Sequence, residues 1–435
     1  MNAINKKLVL IELNEINFDI VQKYLDLHPD MFRNLRKLIS FKQCTTRGED
    51  EYHLLEPWIQ WASVHTGKSH NEHKIFRLGD IVNTNEVQFF ELIEAKGYRV
   101  GAVSPMNASN RLQKASYFIA DPWTSTPSSG NLLIRALQDA ISQTVNDNSE
   151  GKLTLKSAAA LIIGFIRFAR FRNLPRFLSL ALTSPGKPWR KALFLDLLLS
   201  DLHLSLFKST NANFSTLFLN AGAHIQHHYL FNSSVFPEHK GKNPIWYVDA
   251  KFDPFQEMLK CYDAIIGNCL DMVENGAELV VATGLSQVPY DSTKYYYRLR
   301  CHTDFLALIG CYPIAIEPRM TRDFLITFSS SLDAEKALKT LLSVKVNDEL
   351  IFGEIDNRGN SLFVTLNYPH EISHNSEFEV NGVSKGRLLA HVVFVAIKNG
   401  MHQSKGFAYF SKGVKVPPND KHVKTIYDSI TGFFS

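Results

Sequence analysis

The sequence lacks any C-x-x-C pair: its five cysteines, Cys44, Cys261, Cys269, Cys301 and Cys311, are scattered and odd in number. Such a set argues against a disulfide framework and against a thiolate zinc site, and fits a reducing compartment. Charge imbalance is also small. With 47 Lys and Arg against 43 Asp and Glu, the formal charge is +4, so bulk electrostatics give no support to a nucleic-acid partner. Long apolar runs are missing as well. The opening "MNAINKKLVLIELNE" contains only the four-residue run LVLI, far short of a signal-peptide core, and reads as a strand; the cytoplasm is the expected location. The segment "SAAALIIGFIRFARFRNLPRFLSLALTS", residues 157–184, comes nearest to a membrane element. Its apolar stretch ends at Arg167, and Arg170, Arg172 and Arg176 follow, so it is too short to span a bilayer. Two readings stay open. Basic residues interleaved with Phe and Leu suit peripheral contact with an anionic membrane surface, and the same pattern suits a helical hairpin covering the core, broken at Pro175.

What is present is an ordinary globular composition, 435 residues at 45% hydrophobic content, enough for a large core in one enlarged α/β domain or two domains. "KKLVLIELNE" predicts a strand, and "NFDIVQKYLDLHPDMFRNLRKLIS" continues with apolar residues at helical spacing. "VQFFELIEAKGYRVGAVSP" repeats the helix-to-strand step, "NFSTLFLNAG" predicts a buried strand, and "DPFQEMLKCYDAIIGNCLDMVENGAELVVATG" predicts helix, turn and strand. Alternation of this kind implies an α/β fold with a mostly parallel, doubly wound sheet covered by helices on both faces. The expected organisation is a first part of the core over 1–126, a helical cap insertion over 127–210, a second part of the core over 211–322, a small α+β insertion over 323–390, and a return to the core over 391–435.

Histidines mark the places where chemistry would sit. "NAGAHIQHHYLF" sets His224, His227 and His228 directly after a predicted buried strand, and ligands of doubly wound sheets gather beyond the carboxyl ends of strands. Imidazoles spaced by three or four residues at the start of a helix share a face and make good ligands for a divalent metal; hydrogen bonding of those rings to the loop backbone is the alternative. "EDEYHLLEPWIQWASVHTG" offers Glu56, either a first-turn acid stabilised by the helix dipole or a carboxylate acting as metal ligand or general base. "GMHQSKGF" carries His402 beside a glycine, where a loop must approach something closely. "RLRCHTDF" places His302, a candidate catalytic imidazole, beside Arg298 and Arg300, which read as an anion clamp or a solvated turn.

Taken in order, these segments resemble the alkaline phosphatase superfamily, and within it the type I phosphodiesterase/nucleotide pyrophosphatase group. "LVLIELNEINFD" resembles that group's opening strand, "EPWIQWASVHTGKSHNEHKI" its nucleophile segment, "LFLNAGAHIQHHYL" its D-x-x-x-H loop, "VVATGLSQ" its S-D-H-G strand end, and "GMHQSKGFAYFSKG" its late G-x-H-x-x-x-G motif. The resemblance implies a site with two metal ions and a Thr or Ser nucleophile. Several positions depart from it. Asn14 stands where the first metal-binding Asp belongs, Pro57 or, with a one-residue slip, Glu56 takes the nucleophile position, and Thr283 and Gly284 replace the Asp-His pair. His402 fits its motif directly. The histidine loop aligns in two registers, with His224 as ligand in one and Gln226-His227 matching in the other.

Two functions follow as expectations. One is a divergent hydrolase or transferase acting on a phosphoester, such as a phosphodiester or a nucleotide-sugar or glycan phosphate. It would use a single divalent ion, zinc or manganese, in place of two, held by His227 and His402 with Glu56, Glu15 or Glu12, and attack by water rather than by a Thr. Thr283, Ser286, Gln287 and Arg298 would bind substrate oxygens. The other is a non-catalytic pseudoenzyme, without a metal cofactor, that binds a phosphorylated glycan, a nucleotide-linked ligand or a protein partner.

Overall fold

The computed structural model describes residues 6–146, 154–319 and 322–435. Eight strands form the central sheet: β1 (Leu8–Leu13), β2 (Lys42–Arg47), β3 (Val100–Val103), β4 (Tyr117–Ile119), β5 (Phe214–Leu219), β6 (Glu278–Ala282), β7 (Lys405–Phe410) and β8 (Lys421–His422). Their spatial order is β8-β2-β7-β6-β1-β5-β3-β4. β1 lies parallel to both β5 and β6, and β5 and β3 continue the parallel run to β4, while β7 is antiparallel to β6 and β2. The mixed α/β fold with a large, mostly parallel sheet flanked by helices is therefore the one the sequence pattern implies.

β1 is buried along its whole length, as a central parallel strand covered on both faces must be. Leu8, Val9, Leu10, Ile11 and Leu13 are at most 1% exposed, each worth roughly 1.5–3 kcal/mol of burial. The first helical stretch differs from the single run its spacing predicts. It divides into α1 (Phe18–Leu27) and a shorter helix, Arg33–Ile39, because His28-Pro29 stops the first and Phe32 enters the second from a left-handed conformation. Asn17 caps α1, its side chain accepting from the Asp19 and Ile20 backbone N–H groups.

Helices that matter for the site or for the surface follow: α2 (Pro57–Thr66), α3 (Leu132–Asn146), α4 (Leu155–Phe168), α5 (Leu174–Leu182), α6 (Pro188–Thr210), α7 (Ala221–Tyr229) and α8 (Pro254–Glu274). Among the described residues no helix is long and apolar enough to cross a membrane. The start of α7 is anchored by buried polar groups from the two helices beside it. Asp196 of α6 accepts from the Ala221 N–H at 2.9 Å and from the Tyr262 hydroxyl at 2.7 Å, and Tyr262 in turn accepts from the Gly222 N–H at 3.0 Å. Burial pushes the Asp196 carboxyl up to about 6.

The chain divides into two compact units, one made of the described residues of Met1–Pro237, Val248–Val288 and Gly400–Ser435, the other of Glu238–Tyr247 and Pro289–Asn399. The second unit is α+β. It contains a sheet with Ala315–Pro318, Asp323–Thr327, Ser361–Thr365 and Glu354–Asn357, a second sheet around Val344–Val346, and the helices His302–Leu308 and Ser331–Leu341. Its own core includes Phe305, Phe324, Phe352 and Phe378.

Candidate metal centre

The carboxyl ends of β1, β5 and β6 lie in register, Leu13 beside Leu219 and Glu12 beside Ala282. The chain that leaves β1 turns sharply there. Glu15 adopts φ +61°, a left-handed conformation that costs a non-glycine residue roughly 1–2 kcal/mol. Two hydrogen bonds hold it: its N–H donates to the Thr283 carbonyl at 3.0 Å, and its carbonyl accepts from Gln226 Nε2 at 2.8 Å. The turn directs the Glu15 carboxylate toward two imidazoles, His227 from the last turn of α7 and His402 from the end of the strand Val392–Gln403.

Glu15 Oε2 lies 3.1 Å from His227 Nε2 and 3.0 Å from His402 Nε2, and the two Nε2 atoms are 3.2 Å apart. Among the described residues this is the one group of three or more His, Cys, Asp or Glu side chains close enough together to share an ion. Tetrahedral zinc with bonds of 2.0–2.1 Å separates its ligand atoms by about 3.3 Å, so the spacing fits a common cation. Tautomer chemistry points the same way. His227 Nδ1 lies 3.1 Å from the Gly400 carbonyl, an oxygen that can only accept, so Nδ1 carries a proton and Nε2 is the nitrogen left to face a metal ion.

Electrostatics are consistent with this. Burial alone would raise the Glu15 carboxyl, yet the adjacent His402 and His227 hold it well below the usual carboxylate range. The side chain of Glu15 is 2% exposed, whereas those of His227 and His402 are 19% and 14% exposed. The carboxylate is thus enclosed and the imidazoles are the more exposed members, so an ion bound there would be reached by water or substrate from their side. Gln287, itself fully buried, donates from Nε2 to Glu15 Oε2 and, at 3.1 Å, to the Ala223 carbonyl.

No protein-family model and no curated protein matches the chain. Among solved structures it is similar to phosphonoacetate hydrolase from Sinorhizobium meliloti 1021 in complex with phosphonoformate, at TM-score 0.45 and 9% identity over 99% of this chain and 96% of that one. It is similar to murine ectonucleotide pyrophosphatase/phosphodiesterase 5, inactive and in complex with AMP, at TM-score 0.45 and 9% identity over 99% and 95%. A third similarity is to alkaline phosphatase from the Antarctic bacterium TAB5, at TM-score 0.41 and 11% identity over 98% of each chain. Their ligands and activities are their own.

The other candidate residues take varied places. His224 lies in the first half of α7, its ring against those of His228 and Tyr229, outside the three-residue group; the structure brings His227 to the carboxylate instead. Asn14 adjoins the group but turns its amide N–H2 toward Glu15 Oε1 at 3.0 Å and Asn220 Oδ1 at 2.8 Å, while its Oδ1 accepts from Trp61 Nε1 at 2.8 Å. It therefore braces the ligand carboxylate rather than offering an oxygen to a cation. Glu56, the residue before α2, sets Oε2 3.9 Å from His402 Nδ1, on the far side of that ring. Glu12 is buried in β1 between His65 Nε2 and Thr216 Oγ1, away from the group.

The hydroxyls of Thr283 and Ser286 differ from the substrate ligands the sequence suggests. Both residues are fully buried; Thr283 Oγ1 accepts from the Phe407 N–H at 2.9 Å, and Ser286 donates to the Lys405 carbonyl at 2.6 Å. They fasten the loop after β6 to β7. His302 and Arg298 belong to the second unit, where burial and then the Arg298 charge lower the His302 imidazole and its ring packs on Phe324.

Sequence reasoning missed Trp61. It is fully buried, and a Cβ on Gly284 would come within 3.2 Å of its indole. The ring thus occupies the space between Asn14 and Gly284, where the resemblance implies a second ion. Asn14 is committed to Trp61 and Thr283 to main chain, so Asn14, Thr283 and Gly284 supply no anionic or imidazole ligand there.

Gly400 is required by close approach. A Cβ there would collide with Gln287 Oε1 and sit 2.7 Å from the Gln226 carbonyl oxygen. Gly400→Ala is therefore expected to displace the carbonyl that orients His227 and to weaken metal binding roughly 10–100-fold, the range found when a partner that orients a metal-binding imidazole is lost. Competition against a chelating dye would measure it.

Proposed function

We propose that the chain is a hydrolase or transferase acting on a phosphoester with one divalent ion, zinc or manganese, held by Glu15, His227 and His402. The observation that carries this is the meeting of Glu15 Oε2 with two Nε2 atoms at 3.0–3.2 Å. Bound there, the ion would polarise a phosphoryl oxygen and generate a nucleophile from water at neutral pH. The chain's own residues set the rest. Glu56, partly exposed, sets its carboxylate 3.9 Å from His402 Nδ1, on the side of that ring away from the ion, where its charge favours a proton on that nitrogen. Position 57, where the resemblance implies a hydroxyl nucleophile, is Pro57, so the reading has water attack without a covalent intermediate. A small-molecule or glycan phosphoester is the proposed substrate class. Peripheral membrane contact through residues 157–184 is a separate proposal, resting on the exposed face of that segment.

The test is elemental analysis of the purified chain after exposure to zinc, manganese and iron, beside the His227→Ala/His402→Ala double variant. About one metal per chain, absent from the variant, is the expected result; a phosphodiester and sulfate-ester screen follows, with His402→Ala abolishing turnover. Absence of metal from both proteins, or unchanged turnover in His402→Ala, overturns the reading. One observation favours a second reading, a protein that binds a phosphorylated ligand without turning it over: the Trp61 indole fills the place of a second ion. Metal-dependent turnover of any phosphodiester would end that alternative.

A further inference from the structure

We propose that the outer face of the helical hairpin 155–182 docks on an anionic lipid bilayer. The hairpin is α4 and α5 joined by a short turn. Its inner side is settled: Phe165 and Phe177 meet at 5.0 Å, and both pack on Phe194 of α6 at 5.8 and 4.9 Å. Its outer side is apolar and bare. Leu155, Ile166, Phe171 and Leu182 are each more than three-quarters exposed, and Ile162 and Leu178 are 61% exposed. On α4 the exposed residues 155, 162 and 166 recur at helical spacing opposite the buried Ser157, Ala160, Gly164 and Phe168. Single exposed apolar residues are commonplace, but a contiguous set at this spacing marks a binding face.

The exposure is built in rather than a consequence of a loose loop. Asp201 of α6, fully buried, accepts from the Arg170 N–H and from Asn173 Nδ2, each at 2.8 Å. Those two bonds fix the turn on either side of Phe171, whose ring is held 88% in solvent.

Charge decides the occupant. From Gly151 to Leu195 the sequence has nine Lys and Arg and no Asp or Glu, in a chain otherwise near balance. Arg167, Arg172 and Arg176 are exposed among the apolar residues, with Arg172 also paired to Asp271 at 3.2 Å. A protein partner would need a matching acidic and apolar surface of its own, whereas an anionic membrane supplies both features in one plane: phosphate and carboxylate headgroups for arginine and acyl chains for Ile, Leu and Phe. The face deepens the peripheral contact named above and does not depend on the metal site.

The experiment is flotation of the full chain with vesicles of phosphatidylcholine alone and with phosphatidylserine added, at low and high salt. Two double variants accompany it, Ile166→Ser/Phe171→Ser and Arg167→Glu/Arg176→Glu; all four positions are exposed, and circular dichroism checks the fold. The expected result is flotation with the anionic vesicles only, weakened by salt and lost in both variants. Removing two charges near the surface alone predicts a drop of roughly thirty-fold in partitioning. Failure of the wild type to float, equal flotation with neutral vesicles, or undiminished flotation of the variants overturns the proposal. So does self-association in sedimentation velocity that both variants abolish without any lipid binding, which would assign the face to a protein contact.

Discussion

Glu15→Gln is expected to weaken metal binding at least about 100-fold. The substitution keeps the size and the two-oxygen-like outline of the side chain but removes the only negative charge shared by His227 Nε2 and His402 Nε2. Two neutral imidazoles and an amide are a far poorer set for zinc or manganese than two imidazoles and a carboxylate. The loss should exceed the 10–100-fold seen when only an orienting partner of a ligand is removed. Stability separates this from misfolding. An ion at 100 times its dissociation constant stabilises the folded state by about 2.7 kcal/mol, so the wild type should melt higher with metal than with chelator. The variant should melt at one temperature in both conditions, below that of the chelated wild type, because its new amide N–H2 faces Asn14 Nδ2 or Gln287 Nε2, both donors. Dye competition and paired melts measure both quantities. Wild-type affinity in the variant would remove Glu15 from the ligand set and return the role to Glu56, 3.9 Å from the other nitrogen of His402.

The order of strands and helices was legible because each core strand is a short apolar run bounded by turns, and periodicity reports that directly. β1 and β5 are examples, buried at every position. β2 was not legible: "KQCTTR" has alternating exposure but few large apolar residues, and it is held in the sheet by pairing with β7 and β8, both distant in sequence. The imidazoles of the site were also readable. His227 follows a predicted buried strand, which points to the ligand-bearing edge of the sheet, and His402 stands beside a glycine in a loop expected to approach something closely. Their carboxylate was not singled out, for a conformational reason. Glu12, Glu15 and Glu56 are chemically equivalent in sequence, and what selects Glu15 is its φ of +61°, which turns the side chain out of the strand's two-residue alternation. Nothing in local composition announces a left-handed glutamate. Thr283 and Ser286 misled for the complementary reason: polar residues after a strand can face ligand or brace the loop, and the partners that decide, Phe407 and Lys405, are more than a hundred residues away in sequence.

Acidification is expected to destabilise the fold between pH 6.5 and 4, and two buried histidines outside the metal centre account for it. Burial lowers His203 to about 3; its Nε2 bonds Ser215 Oγ at 2.8 Å and no charged group offsets the desolvation. Burial, and next the nearby His70, lower His73 to about 4, against a smaller opposite pull from Glu49. In the unfolded chain both would take up a proton near 6.5. Above that pH neither state is protonated and nothing changes. Below it the unfolded state binds protons that the folded state refuses, so stability falls by about 1.4 kcal/mol per pH unit for each ring, or roughly 3 kcal/mol apiece at pH 4. Asp196 acts in the other direction. Its folded value of about 6 lies above the ordinary 3.8, so between those limits the folded state gains the proton and offsets roughly 3 kcal/mol of the loss. His203→Gln isolates one contribution, because glutamine can keep the bond to Ser215 without titrating. Urea unfolding at several pH values should show a wild-type slope steeper than that of the variant by about 1.4 kcal/mol per pH unit below 6.5. Parallel curves would mean that His203 takes up its proton as readily in the folded chain as in the unfolded one, and would leave His73 as the buried histidine behind the loss.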